Sequence, residues 1–184
     1  MRRKGSLLRE LPILVVVALV VSLLIKTFLV QFFYIPSGSM ENTLQVKDRV
    51  AVNKVPFLSR NIARGDVVVF RDPAGWLPEI VDYSTNKYVA KVKTGLVAVG
   101  VLPNPAKQYL VKRVIGVGGD RVVCCDKAGL LTVNGTAITE PYIFAGNKPS
   151  EMKFDVTVPK GKVWVMGDHR GASADSRYHQ DDIN

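Results

Sequence analysis

A chain of 184 residues has room for one modest domain and an appendage. Its composition, 47% hydrophobic and 22% charged with 15 Gly and 10 Pro, excludes a disordered or fibrous chain. Its only two cysteines, adjacent at Cys124 and Cys125, exclude a disulfide scaffold and suit no common zinc site, and two histidines, His169 and His179, leave little for a His-based metal centre.

The formal charge of +9 suggests nucleic acid, but its distribution argues otherwise. Arg2, Arg3, Lys4, Arg9 and Lys26 stand against the single acid Glu10 within residues 1–33, and no dense basic tract follows. From Leu11 to Ile25 the sequence is apolar except for Pro12 and Ser22, and apolar character resumes after Lys26-Thr27 through Phe33. As a helix, Leu11–Phe33 is about 34 Å long, enough for a hydrocarbon core of about 30 Å. Pro12 falls in the first turn, where a missing N–H costs little, and Lys26 lies near one end, where it can snorkel. No small-x-small cleavage site follows the run, and no polar face marks it as a buried soluble helix. The expectation is an uncleaved transmembrane anchor over 11–33 behind a basic cytoplasmic segment, 1–10. The bases keep the amino terminus in the cytoplasm, so 34–184 is expected to be extracytoplasmic.

That remainder reads mainly as strand. Arg49–Asn53, Asp66–Phe70, Tyr109–Ile115, Arg121–Cys124, Leu130–Val133 and Lys162–Met166 are short runs rich in β-branched residues, bounded by polar residues or Gly. Asn134-Gly135 predicts a two-residue hairpin into Thr136–Ile138, because both residues tolerate positive φ. Gly75–Lys107 lacks clear periodicity apart from a weak helical pattern at Asp82–Leu96, and is expected to be an insertion or a lip that touches lipid. The polar end Arg177–Asn184 stops soon after a motif-like loop, so a closing strand, and hence a truncated chain, is expected.

Three segments carry candidate chemistry. Pro36-Ser37-Gly38-Ser39-Met40 is a turn by composition and needs a base to be a nucleophile's turn. His169 beside Asp168 offers a triad, but nothing local fixes its geometry. In Tyr109–Ile115, strand alternation sets Lys112 on the same face as Leu110 and Val114. Burial there would lower its pKa from about 10.4 and supply a neutral amine; the plainer reading is an edge-strand lysine with its head in water. Gly167–Arg177 is dense in small and polar residues, where Asp175 and Arg177 can pair and Ser173 or Ser176 can bond an amine.

Together, behind the anchor, these segments resemble type I signal peptidases, membrane-anchored Ser–Lys endopeptidases. The resemblance rests on Pro36–Met40, Arg64–Phe70, Tyr109–Asp120, Val133–Gly135 with Glu140–Tyr142, and Gly167–Arg177. It implies a β-rich catalytic domain, Ser39 as nucleophile and Lys112 as general base. Ser37 and the Ser39 N–H would form the oxyanion hole, Ser173 would orient the lysine, and Asp175 and Arg177 would support the site. It also implies signal peptides of exported preproteins, cut after Ala-x-Ala-type sites, as substrate. Membrane lipid and the translocation machinery are the implied partners, with no nucleic acid, metal or cofactor. The chain departs from many relatives in carrying His169 after Gly167-Asp168 and Gly171-Ala172 beyond it. Cys124 and Cys125 are expected to be free thiols, because consecutive strand residues face opposite ways. The rival readings are a non-catalytic anchored β domain that binds exported chains, a Ser–Lys self-cleaving repressor and a nucleic-acid binder. The absence of a helix-turn-helix and of an aromatic-basic platform counts against the last two.

Overall fold

The structure is a computed structural model that describes residues 4–53, 55, 61–73, 75–77, 95 and 108–180. Apart from residue 95, the weak helical pattern at Asp82–Leu96 lies outside the described residues, as do most of the expected insertion and the last four residues.

The chain forms two compact units. The first, residues 1–36 and 46–62, carries helix α1 (Lys4–Phe28) and an antiparallel pair, β1 (Val30–Tyr34) and β2 (Arg49–Asn53). The helix ends before the apolar run does. Phe28 is its last residue, and β1, whose Val30–Phe33 was expected to continue the helical anchor, pairs instead with Arg49–Asn53. Val, Phe and Tyr favour a pleated backbone, and pairing satisfies the polar groups that a helix would have bonded internally. Side chains of α1 are described for residues 10–23, and Leu11, Ile13, Leu14 and Leu19 are more than 60% exposed. Among the described residues no helix is long and apolar enough to cross a membrane.

The second unit, residues 37–45 and 63–184, holds two antiparallel sheets. One has the order β3 (Val67–Arg71), β4 (Tyr109–Val117), β9 (Val163–Met166). The other runs β7 (Thr136–Ala137), β6 (Leu131–Val133), β5 (Arg121–Cys124), β8 (Phe154–Thr157). Ile115, Val122, Leu131, Val133, Trp164 and Met166 are central to the core. Between β4 and β5 the chain reverses at Gly118-Gly119-Asp120, where the Asp120 carboxylate accepts the Val117 N–H (2.9 Å) and an Asn134 side-chain N–H (2.8 Å). Asn134 and Gly135 adopt φ of 53° and 79°, as the hairpin signal requires.

Cys124 and Cys125 correct the free-thiol expectation: they form a disulfide with each other, and their peptide bond is cis. β5 ends at Cys124, so Cys125 escapes the strand alternation on which the expectation rested.

Candidate active site

β4 is the central strand of its sheet, with β3 and β9 on either side. Its alternation turns Leu110, Lys112 and Val114 inward, and all three are buried. Lys112 is therefore no edge-strand lysine with its head in water; it is 2% exposed. An ammonium there loses most of its hydration. Burial accordingly lowers the Lys112 amine from its ordinary 10.5 to about 8, with the Asp175 charge opposing the fall and the Arg177 charge adding to it. Its Nζ lies 2.6 Å from the Oγ of Ser39, which is itself buried.

Ser39 sits on a tight turn. The Glu41 N–H donates to the Gly38 carbonyl (3.0 Å), and the Thr43 and Leu44 N–H groups donate to that of Met40 (3.0 and 2.8 Å). Met40, 1% exposed, pins the turn into the interior. The Ser39 carbonyl accepts the His169 N–H at 3.1 Å, which ties the turn to the loop after β9. That loop approaches so closely that a Cβ on Gly167 would overlap the Ser39 carbonyl oxygen and the Ser173 hydroxyl. Glycine is required there for room.

The loop is organised around the Asp175 carboxylate, which is fully buried. It accepts from the Gly167 N–H (2.9 Å), from the Ser173 hydroxyl (2.7 Å) and, two-pronged, from Arg177 Nε and Nη2 (2.8 and 2.9 Å). Arg177, 2% exposed, also donates to the Arg170 carbonyl at 2.8 Å. A second buried guanidinium, that of Arg170, donates to the Gly167 and Pro149 carbonyls (2.9 and 2.6 Å) and pairs with Glu140. Each buried charge thus has an opposite partner and further hydrogen bonds, the condition under which burial is tolerated.

On the other face of β4, Arg113 donates to both oxygens of buried Asp168 (2.8 and 2.7 Å), which also accepts the Thr43 hydroxyl. The His169 imidazole bonds Glu41 instead (2.9 Å) and stacks on Phe144, with ring centroids 4.1 Å apart. Asp168 and His169 therefore do not assemble a triad with Ser39, whose hydroxyl is bonded by Lys112.

The structure brings together Ser39, Lys112, Ser173, Asp175 and Arg177 as the sequence suggests. The Ser173 hydroxyl donates to Asp175, the carboxylate whose charge raises the Lys112 pKa. Ser37 is exposed on the turn. Ser176 accepts the Val165 N–H (3.0 Å), a bracing bond. Sequence reasoning missed Thr43, Glu41 and Phe144, and it left Arg113, Glu140 and Arg170 without roles at the site. The side-chain partners that tie them to the site lie 25 to 128 residues away and leave no local pattern.

A family model described as signal peptidase, peptidase S26, matches residues 8–180. The chain is 40% identical over 192 residues to a probable signal peptidase I of Mycobacterium leprae, covering 96% of this chain and 66% of that protein. It is 42% identical over 198 residues to signal peptidase I of Mycobacterium tuberculosis, covering 96% of this chain and 64% of that one. Signal peptidase I P of Bacillus subtilis subsp. natto is 30% identical, with 99% of this chain and 87% of that protein covered. The chain thus spans about two thirds of the length of the two mycobacterial relatives.

Proposed function

The chain belongs to the signal peptidase family, peptidase S26, and from that premise we propose that it is a membrane-anchored serine endopeptidase that removes signal peptides from exported preproteins. One observation carries the reading: a desolvated amine, Lys112 Nζ, stands 2.6 Å from the Ser39 hydroxyl. A serine hydroxyl is a poor nucleophile unless a base takes its proton, and a lysine is such a base only when neutral. With its pKa near 8, Lys112 is neutral in a useful fraction at mildly alkaline pH.

In the proposed reaction, neutral Lys112 accepts the Ser39 proton as Oγ attacks the scissile carbonyl. The Ser39 N–H and the Ser37 hydroxyl stabilise the oxyanion; one such donor is worth about 2.7–4 kcal/mol. Protonated Lys112 then donates to the leaving amine, and water attacks the acyl-enzyme with the same lysine as base. Asp175, Arg177 and Ser173 hold the wall behind the lysine. Specificity for Ala-x-Ala would come from two shallow pockets reading an extended peptide whose backbone pairs as an added strand.

The membrane-anchor reading rests on the apolar run Leu11–Ile25, the helix that continues to Phe28 and the exposed leucines of α1. The bases before the run favour a cytoplasmic amino terminus and a catalytic unit on the opposite side. Enzyme and substrate would then share one membrane plane, which raises their effective concentration.

The test is cleavage of a preprotein bearing an Ala-x-Ala site by the detergent-solubilised full chain, beside Ser39→Ala. A cut after the second alanine that disappears in the variant supports the reading. A folded protein that binds the preprotein without cutting it overturns the reading in favour of a binding domain.

A further inference from the structure

The Cys124–Cys125 disulfide takes no part in the proposed reaction, and it is a poor staple. A disulfide stabilises mainly by closing loops in the unfolded chain, and a bond between sequence neighbours closes almost none. Its surroundings point elsewhere. Both cysteines line a cavity of about 700 Å³, with Asn147, Pro149, Met152 and Lys153 among its other walls, and that volume admits a small molecule. Cys124 is buried in the core, whereas Cys125 is only half-buried.

The wall of this cavity also holds the catalytic loop. The Asn147 side-chain oxygen accepts the Gly171 N–H at 2.8 Å, and the Pro149 carbonyl accepts from Arg170 Nη1 at 2.6 Å. Arg170 Nε donates in turn to the carbonyl of Gly167, the residue that packs on the Ser39 carbonyl with no room for a Cβ. The disulfide bears on this wall through β8. Cys124 pairs with Phe154, so a β5 one residue longer would set Cys125 opposite Lys153. Successive strand residues face opposite ways, and two bonded neighbours cannot both obey that rule. The bond thus stops β5 at Cys124, and two free thiols would let the strand run on and draw Lys153 into the sheet. Met152, next to it, is tied to the Ser150 hydroxyl through its N–H and its carbonyl (3.0 and 2.9 Å), and Pro149 comes immediately before.

We propose that Cys124–Cys125 is a redox switch on the active site, opened by a low-molecular-weight thiol that enters this cavity. One thiolate attacks a cysteine sulfur, which breaks the S–S bond, forms a mixed disulfide and frees the other cysteine as a thiolate. A second thiol attacks the mixed disulfide and leaves as the oxidised thiol dimer, so the two small thiols supply the electrons and protons that convert the pair into Cys124 and Cys125 thiols. The inference rests on the peptidase reading for its effect on activity, whereas the exchange itself does not need it.

The experiment incubates the folded full chain in detergent with 2-mercaptoethanol, quenches with acid and counts free thiols by the mass added on alkylation of the unfolded sample. No other cysteine is present, so every label reports this bond. Both cysteines should be labelled, with kcat for an Ala-x-Ala peptide lowered at least about threefold and KM within about twofold, as a displaced catalytic loop requires. Reoxidation should restore kcat. The melting temperature of the reduced protein should lie within about 5 °C of the oxidised value, because the bond closes almost no loop. Cys124→Ala/Cys125→Ser should resemble the reduced enzyme and ignore the thiol. Ala128→Trp, which adds bulk to the cavity wall, should slow reduction at least about threefold. The switch is overturned by a bond that opens only when the protein unfolds, by full reduction with kcat unchanged, or by a thiol effect on the cysteine-free variant. Reduction as fast in Ala128→Trp as in wild type overturns the cavity route. Failure of the peptidase reading is a separate result: oxidised wild-type protein that does not cleave, or cleavage that survives Ser39→Ala, whatever the thiol count.

Discussion

Replacing Lys112 with methionine separates two consequences of burying an amine beside Ser39. Methionine keeps most of the packing volume and cannot accept a proton, so peptide cleavage should fall to background. Stability should move the other way, and its size follows from the pKa. A shift from 10.5 to about 8 is worth about 3 kcal/mol, the amount by which the folded state disfavours the protonated amine. The penalty is fully present below the folded value, where both states carry the proton. It is relieved as pH rises from about 8 towards 10.5, because the unfolded chain binds the proton more tightly across that window. At pH 7 the wild type bears nearly all of it, and at pH 9.5 only about 1 kcal/mol. Lys112→Met removes this cost and leaves the Ser39 hydroxyl without its partner, a loss of about 1–3 kcal/mol. The variant should therefore be more stable than wild type at pH 7, and its advantage should shrink by about 2 kcal/mol at pH 9.5. Urea unfolding at the two pH values measures this, with the core residue Trp164, 1% exposed, among the fluorescent reporters. An equal destabilisation at both pH values would refute the argument that burial depresses this lysine.

Other predictions concern the groups around the dyad. Gly167→Ala should cost about 1–3 kcal/mol in unfolding free energy and most of kcat, because the added methyl displaces the Ser39 carbonyl and the Ser173 hydroxyl. Asp175→Asn should destabilise by about 3–5 kcal/mol, since it leaves the buried Arg177 guanidinium without its counter-charge. In the fraction that stays folded, the Lys112 limb of the pH profile should move to lower pH, because Asp175 is what raises that pKa. Ser173→Ala should alter that limb less than Asp175→Asn, since the serine bonds Asp175 and carries no charge of its own; steady-state pH profiles of the two variants give the comparison.

Much of the second unit was legible because its signals are local. Alternation along Tyr109–Ile115 identified the strand and set Lys112 on one face with Leu110 and Val114, though an edge-strand lysine with its head in water was the plainer reading; the positive-φ preference of Asn134-Gly135 fixed the β6–β7 hairpin. The anchor reading ran through Phe33 because apolarity alone does not distinguish helix from strand, and β1 depends on pairing with residues about twenty positions away. β8, Phe154–Thr157, was missed for a similar reason: four residues are too short for a pattern, and β5 supplies its register. At the site, family resemblance named the dyad and its supports, and composition alone would have left Ser39 in a common turn. The ties that hold the turn in place, Arg113 to Asp168 and His169 to Glu41, join segments 55 and 128 residues apart and are visible only in the folded chain.

Whether Ser39 is activated by a neutral lysine is decided most directly by kcat/KM against pH, from about 6 to 10, for a peptide spanning an Ala-x-Ala site. With Lys112 as base, the rate constant should rise about tenfold per pH unit at the acid end, level off above about 8, and vanish in Ser39→Ala. A profile already level by pH 7, or a rate that survives Ser39→Ala, would contradict the Ser39–Lys112 assignment.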